Sequence, residues 1–248
     1  MDTLPPWDGA LYAQNTAHHR AFDDAFLAST PLRPSDRVLD LGCGSGDLTA
    51  TIAGLVPDGH VVGVDPQPSM LAEARRRARP NQSFTQLAAQ QLDRLDEPDA
   101  AFDVVLSRAC LHWVPRADWP GVLAQLARLV KPGGIVRIEC GGAGNVPRVV
   151  DLLAEVTGVG CPWTFLDAAE ALELLEGAGL HPEFVHTVGQ RRPFDERTIV
   201  GWLRSQCYQA YGLDEDGAAA VEARLDDLRR ADGTLDQTYV RLDLLARG

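Results

Sequence analysis

The chain has 248 residues, 45% of them hydrophobic and 23% charged, which suits one large α/β domain or a core with a small attachment. Its 35 acidic and 23 basic residues leave a net charge of −12, whose field repels nucleic acid and anionic membrane alike. Five scattered cysteines without CxxC spacing argue for reduced thiols in a cytoplasmic protein, and against a disulfide framework or a zinc site.

After a proline-rich start, residues 10–28 read as a helix with an apolar stripe and two histidines, His18 and His19, each expected to face solvent or to be structural. Thr30-Pro31 and Arg33-Pro34 end it, because a residue before proline avoids the helical region. Strands are expected at 38–41, 61–64, 102–106 and 135–138, with a weaker one around Phe84. Helices at 48–56, 69–78 and 122–130 fall between them. Apolar runs such as VVGV and DVVL suit strands buried on both faces, as in a parallel sheet. The cluster Arg75, Arg76, Arg77 and Arg79 falls at a helix end, where cations favour the helix dipole.

Beyond Gly144 the pattern changes. Helices are expected near 149–156 and 167–176, a strand at 183–188, and a polar helical stretch over 195–231. In the last strand, 238–245, Val240, Leu242 and Leu244 alternate with Tyr239, Arg241 and Asp243, and this strand is expected to close the sheet edge. No early segment pairs a basic start with an apolar run, and no stretch nears the roughly 18 apolar residues of a membrane span.

The first strand runs into Asp40-Leu41-Gly42-Cys43-Gly44-Ser45-Gly46, and a helix follows at once. Glycines there permit positive φ and let backbone approach a ligand, while N–H groups at the helix start point at whatever is bound. The second strand ends in Asp65, about 20 residues on, where a carboxylate can accept both ribose hydroxyl hydrogens. The plainer alternative for Asp65 is a helix cap before Pro66. Two cofactor types share this architecture. A dinucleotide fingerprint begun at Gly42 needs glycine at 47, where this chain has Asp47, a carboxylate that would face a pyrophosphate. S-adenosylmethionine carries no phosphate, and its positive sulfonium and ammonium groups tolerate a nearby acid.

DLGCGSG, GVDPQPSML, FDVVLSRACLHWV and LVKPGGIVRIE resemble the successive signature segments of class I S-adenosylmethionine-dependent methyltransferases, over roughly residues 4–247. The opening Trp7…Leu11-Tyr12, the block Ala109-Cys110-Leu111-His112-Trp113 and the ending Tyr239-Val240-Arg241-Leu242 resemble the trans-aconitate-methyltransferase-like group. The resemblance implies a Rossmann-like α/β fold, with a mostly parallel seven-stranded sheet and helices on both faces. It divides the chain into a cap helix over 1–30, a cofactor-binding core over 31–194, a helical substrate cap over 195–234 and a final core strand over 235–248. It also implies that Gly42, Cys43, Gly44 and Gly46 cradle the methionine end, with Asp40 holding its amino group and Tyr12 nearby. Asp65 and Pro66 would meet the ribose, and Met70 the adenine. Ala88 departs from the pattern by replacing the aspartate that reads the adenine edge, a task that falls to the Ala89 backbone and the Gln90 amide.

Methyl transfer from a sulfonium is an in-line displacement that needs chiefly positioning and desolvation. The segment 107–113 leaves the fourth strand at the carboxyl edge of the sheet, where open α/β folds bind ligands. Arg108 there is a candidate anchor for a substrate carboxylate, or else the partner of a local acid. His112 is the candidate proton acceptor, against the plainer reading of a packed, hydrogen-bonded residue. Trp113, Trp163, Phe165, Trp202, Tyr208 and Tyr211 line an apolar substrate pocket or simply fill core. The function expected is methyl transfer to an oxygen or nitrogen, less readily a carbon, of a small molecule, with no metal and no nucleic-acid or membrane partner. Rival readings are a protein that binds S-adenosylmethionine without transferring methyl, and a nicotinamide-dependent oxidoreductase.

Overall fold

The computed structural model describes residues 7–14 and 17–248, with the side chains of all these except 13, 14 and 17–22. Helices α1 (Gly9–Gln14) and α2 (Ala17–Ala28) lie where one helix is expected; residues 15 and 16, and the side chains of His18 and His19, fall outside the described residues. Strands and helices then alternate as β1 (Arg37–Leu41), α3 (Asp47–Leu55), β2 (His60–Asp65), α4 (Pro68–Arg76), β3 (Gln82–Gln86) and β4 (Phe102–Arg108). The next elements are α5 (Trp119–Leu129), β5 (Val130–Gly141), α6 (Pro147–Thr157), α7 (Ala168–Gly177) and β6 (His181–Arg192). Short helices α8 (Glu196–Trp202) and α9 (Glu215–Glu222) flank a π-helical turn at Leu203–Cys207, and β7 (Gln237–Arg247) follows.

The seven strands form one sheet in the order β3-β2-β1-β4-β5-β7-β6. The pairs from β3 to β5 are parallel, and β7 runs antiparallel to both of its neighbours. One expectation is corrected here. The last strand does not close the edge; it enters between β5 and β6, and β6 is the edge. Both sides of β7 are therefore paired, along seven residues of β5 and eleven of β6.

Successive residues of the inner strands go to opposite faces, as a strand requires. Val38, Val104 and Ile135 pack with Phe26 of α2 and Ile52 of α3, whereas Leu39, Val105 and Val136 pack with Leu123 and Leu126 of α5. Both faces are covered, which is why these strands read as unbroken apolar runs. A separate cluster joins Val149 and Leu153 of α6 to Ile199 and Trp202 of α8, Val221 of α9 and Tyr239 of β7. No helix among the described residues is long and apolar enough to cross a membrane.

One charge is buried on the α2 face of the sheet. Arg137 of β5 is 1% exposed; it pairs with Asp243 of β7 and donates to Leu244 O and Ser29 Oγ, each at 3.0 Å. Its guanidinium also lies 4.5 Å from the Phe26 ring and 5.3 Å from the Phe184 ring, so it ties the end of α2 to β5, β6 and β7. Removing only the acid strands a buried cation. Asp243→Ala is expected to lower stability in urea unfolding by about 3–5 kcal/mol, and Arg137→Met by clearly less. Equal losses in the two variants would show that packing, and not charge, dominates at this point.

Candidate active site

The turn after β1 is held by one carbonyl. Gly42 and Cys43 both donate their N–H to Val64 O, at 2.7 and 3.0 Å. Gly44 N–H then reaches Asp65 Oδ2 at 3.0 Å, and Gln67 N–H reaches Oδ1 at 2.8 Å. All three glycines of the turn have positive φ, but what surrounds them differs. A Cβ on Gly42 would lie 2.3 Å from Cys110 Sγ, so only glycine lets the β4 loop cross here. A Cβ on Gly44 would meet nothing nearer than Tyr12 Cε1 at 4.0 Å, so it would project into open space. A Cβ on Gly46 would lie 2.8 Å from Ala74 Cβ. Gly46 therefore lets α3 pack on α4, and its expected place in the cradle is corrected.

That open space is a cavity of about 390 Å³ along the carboxyl ends of the strands. Gly42, Gly44, Asp65, Pro66 and Met70 line one half, with Ala88, Ala89 and Gln90 beyond them. Asp40 and Cys43 instead line a smaller recess beside it, together with Tyr12, Asp23 and Arg108. Asp40 is 2% exposed and accepts the Thr49 hydroxyl at 2.6 Å. The Gln90 amide donates to Asp118 Oδ2 at 3.2 Å while its residue borders the cavity. Trp7 and Tyr12 of the N-terminal segment also border it. That segment is strapped to α4 where Ser69 Oγ donates to Trp7 O at 2.5 Å.

The other half is aromatic. Trp163 stacks on Phe165 at 5.9 Å and meets Trp113 edge-on at 5.7 Å, and Trp113 meets Trp7 at 5.1 Å. Trp202 and Tyr239 complete the wall, their rings 5.7 Å apart. Tyr208 and Tyr211 do not border the cavity; they belong to the separate apolar cluster, so for them the core reading stands. Two non-glycine residues at positive φ, Ala109 and Val146, border the same space, where backbone strain commonly gathers at functional sites.

For Arg108 and His112 the structure displays the plainer of the two expected roles. Arg108 Nη1 lies 2.5 Å from Asp23 of α2 and its Nε 3.6 Å from Glu139 of β5, with the side chain 6% exposed. Of its two readings, the structure displays the local ion pair. His112 Nδ1 accepts the Gly141 N–H at 3.2 Å. An imidazole that accepts at Nδ1 carries its proton on Nε2. Burial, seconded by Arg241, pushes its pKa down to about 3, so it stays neutral. Both points speak against His112 as a proton acceptor, and they leave its Nε2–H as the group free to donate. Sequence reasoning missed Arg241 and Tyr239 as cavity residues. Their alternation with apolar neighbours marks a strand without showing what covers it; they are 5% and 3% exposed.

A profile of the methyltransferase domain family matches residues 38–134, the stretch that carries the glycine turn, Asp65 and β4. An uncharacterized methyltransferase of Schizosaccharomyces pombe is 32% identical, over 97% of each chain. A trans-aconitate 2-methyltransferase of Azoarcus sp. is 30% identical, over 98% of this chain and 99% of that one. The chain belongs to the class I S-adenosylmethionine-dependent methyltransferases, in the trans-aconitate-methyltransferase-like group. The fold agrees. A geranyl diphosphate C-methyltransferase of Streptomyces coelicolor, solved with S-adenosylhomocysteine, superposes with a TM-score of 0.60 at 15% identity, covering 97% of this chain and 83% of that one.

The residues of this methyltransferase fit its cofactor, S-adenosylmethionine. Each Asp65 oxygen accepts one backbone N–H and keeps a lone pair for a ribose hydroxyl. The open space over Gly44 would take the methionine chain, and Met70 and Ala89 would offer apolar surface to a base. Asp65→Ala removes a charged acceptor worth roughly 1.5–3 kcal/mol, so S-adenosylhomocysteine should bind about ten- to hundredfold more weakly by calorimetry. An unchanged dissociation constant would leave Asp65 as a helix cap alone.

Burial raises the pKa of Asp40 and of Asp65 to about 6, against the hydrogen bonds each accepts. With the folded value above the unfolded one, the ligand-free protein loses this contribution to stability as pH rises from about 4 to 6. A ligand held by the ionised carboxylates would bind fully above about pH 7 and more weakly as pH drops through about 6. Thermal shifts with S-adenosylhomocysteine should grow over that same window. A shift that stays flat from pH 5 to 8 would show that neither acid meets the ligand.

Proposed function

We propose that this methyltransferase acts in the cytoplasm on a small molecule whose oxygen or nitrogen nucleophile needs no deprotonation, a carboxylate oxygen first among them. The observation that carries this reading is one cavity shared by the cofactor cradle and an aromatic acceptor half, with a neutral, donating His112 at its wall. When bound, S-adenosylmethionine supplies a sulfonium methyl group, whose transfer leaves the electron pair on sulfur. The protein's own part is to orient and to dry. Trp113, Trp163 and Phe165 exclude water beside the acceptor and hold its plane. His112 Nε2 offers a hydrogen bond and takes up no proton. A carboxylate is already anionic, so the lack of a base costs it nothing, whereas an alcohol or phenol would wait for one.

Segments 1–30 and 195–234 act in this reading as the covers of a core over 31–194, which residues 235–248 complete. An enclosed, acidic protein of this kind favours a small acceptor over a macromolecule. The name trans-aconitate 2-methyltransferase, borne by several relatives about 30% identical, supports an acid as the acceptor. The test uses methyl-labelled S-adenosylmethionine with a panel of carboxylic acids, amines and phenols, read by mass spectrometry. The expected product is a methyl ester, from which mild alkali releases labelled methanol. Labelled phenol ethers as the sole products would overturn the reading, since they demand the base that His112 does not provide.

A further inference from the structure

The unpaired buried polar atoms that border the cavity are donors, while Glu139 Oε1 behind them is a buried acceptor without a hydrogen bond. Trp163 Nε1, Tyr239 Oη and the Nε and Nη2 of Arg241 are buried without a hydrogen-bond partner among the described residues, and all three side chains border the cavity. Buried donors left unmatched are costly, so such a set calls for a ligand rich in acceptors. Nε and Nη2 form the side-on edge of a guanidinium, the two-pronged geometry that grips a carboxylate. Arg241 is 5% exposed, and its guanidinium lies 5.5 Å from the Tyr239 ring, on whose ring Arg192 sits at 4.4 Å.

The nearby acids do not fill this edge. Glu139 Oε1 is 4.0 Å from Arg241 Nε, beyond hydrogen-bond reach, and 3.6 Å from Arg108 Nε. Asp23 is spent on Arg108, 2.5 Å away. In the sheet, Arg108 stands directly across from Glu139, and Arg241 across from Gly141, two residues further along β5. β7 lies two strands from β4, and strands are spaced about 4.8 Å apart. The Arg241 fork thus sits over β5, two strands or on the order of 10 Å from β1, whose glycine turn begins the cofactor cradle. A group held there is too far along to be the atom that takes the methyl.

We propose that Arg241 is the specificity-determining residue of the acceptor site, holding a carboxylate that does not react, on a substrate whose planar body lies among Trp113, Trp163 and Phe165. This rests on the acceptor half being the substrate site, and it assigns the substrate class as conjugated or aromatic acids that carry their nucleophile at the opposite end. The carboxylate completes the Arg241 fork, and Tyr239 Oη and Trp163 Nε1 are the neighbouring donors.

The test is a binding measurement on the complex with S-adenosylhomocysteine, followed by tryptophan fluorescence and calorimetry. The probes are trans-cinnamate and the uncharged trans-cinnamamide of the same shape. The acid is expected to bind saturably and at least about tenfold more tightly than the amide. Arg241→Gln should erase that preference, while the dissociation constant for S-adenosylhomocysteine stays within about twofold. Arg241→Lys, which keeps the charge and loses the fork, should weaken the acid by about tenfold. If Arg241→Gln fails to bind S-adenosylhomocysteine, the lysine variant decides alone by the same criterion. Equal binding of acid and amide, no saturable binding of the acid, or an acid preference untouched by either variant would overturn the proposal and leave Arg241 as a partner of Glu139. A panel in which no acid is methylated, alongside Arg241-dependent cinnamate binding, would sink the proposed ester formation and leave this inference standing.

Discussion

The site is organised around the Val64 carbonyl, which accepts two successive N–H groups from the turn after β1. That carbonyl is available only because β1 and β2 pair in parallel, with Leu41 beside Val64, so that both strands end at the same level. The next residue of β2 is Asp65, whose carboxylate is then fixed by the third N–H of the same turn. A shift of one residue in that pairing would send Asp65 to the wrong face of the sheet. A slip would bring a valine to the place of Gly63, where even a Cβ would lie 2.7 Å from the Phe84 ring, so core packing opposes it. Cofactor recognition thus depends on strand register, which depends on core packing.

Charge is divided along the cavity. Asp65 borders the cavity at the glycine-turn end and Asp40 the recess beside it, where the cofactor's ribose and ammonium group would sit. The guanidinium groups of Arg192 and Arg241, from β6 and β7, gather toward the other end, while Arg108 of β4 stands between them and the recess that Asp40 lines, paired with Asp23 and near Glu139. For a protein of net charge −12 this local inversion matters, because an anionic ligand is repelled by the whole molecule and attracted only at close range. Burial makes the inversion effective, since charges in a dry pocket are weakly screened.

What could be read from the chain beforehand follows the range of the interactions involved. The glycine turn and Asp65 were legible because strand, turn and helix are consecutive, and their chemistry is carried by backbone and spacing. Gly46 was misplaced because spacing alone cannot tell a glycine beside a ligand from one beside Ala74 of another helix. The partners that settle Arg108 and His112, namely Asp23, Glu139 and Gly141, come from α2 and β5, distant in sequence. Arg241 was hidden for a third reason. Its strand was expected at the sheet edge, whereas β7 is paired on both edges and Arg241 is buried.

The position of β7 also governs when the sheet can be finished. Arg137 and its partner Asp243 are 106 residues apart, and β6 has no other strand to pair with. During synthesis at about 5–20 residues per second, β5 would wait on the order of 5–20 s for its antiparallel neighbour to be made. For that interval β5 exposes an unpaired edge of buried-type residues, and β6 has neither neighbour, a state prone to pairing with other chains. Because Tyr239 and Arg241 arrive on the same late strand, the cofactor half can form first, and the acceptor wall is assembled only as the sheet closes. Loss of nascent chains to aggregation should therefore depend more on how quickly β7 docks than on the stability of the finished fold.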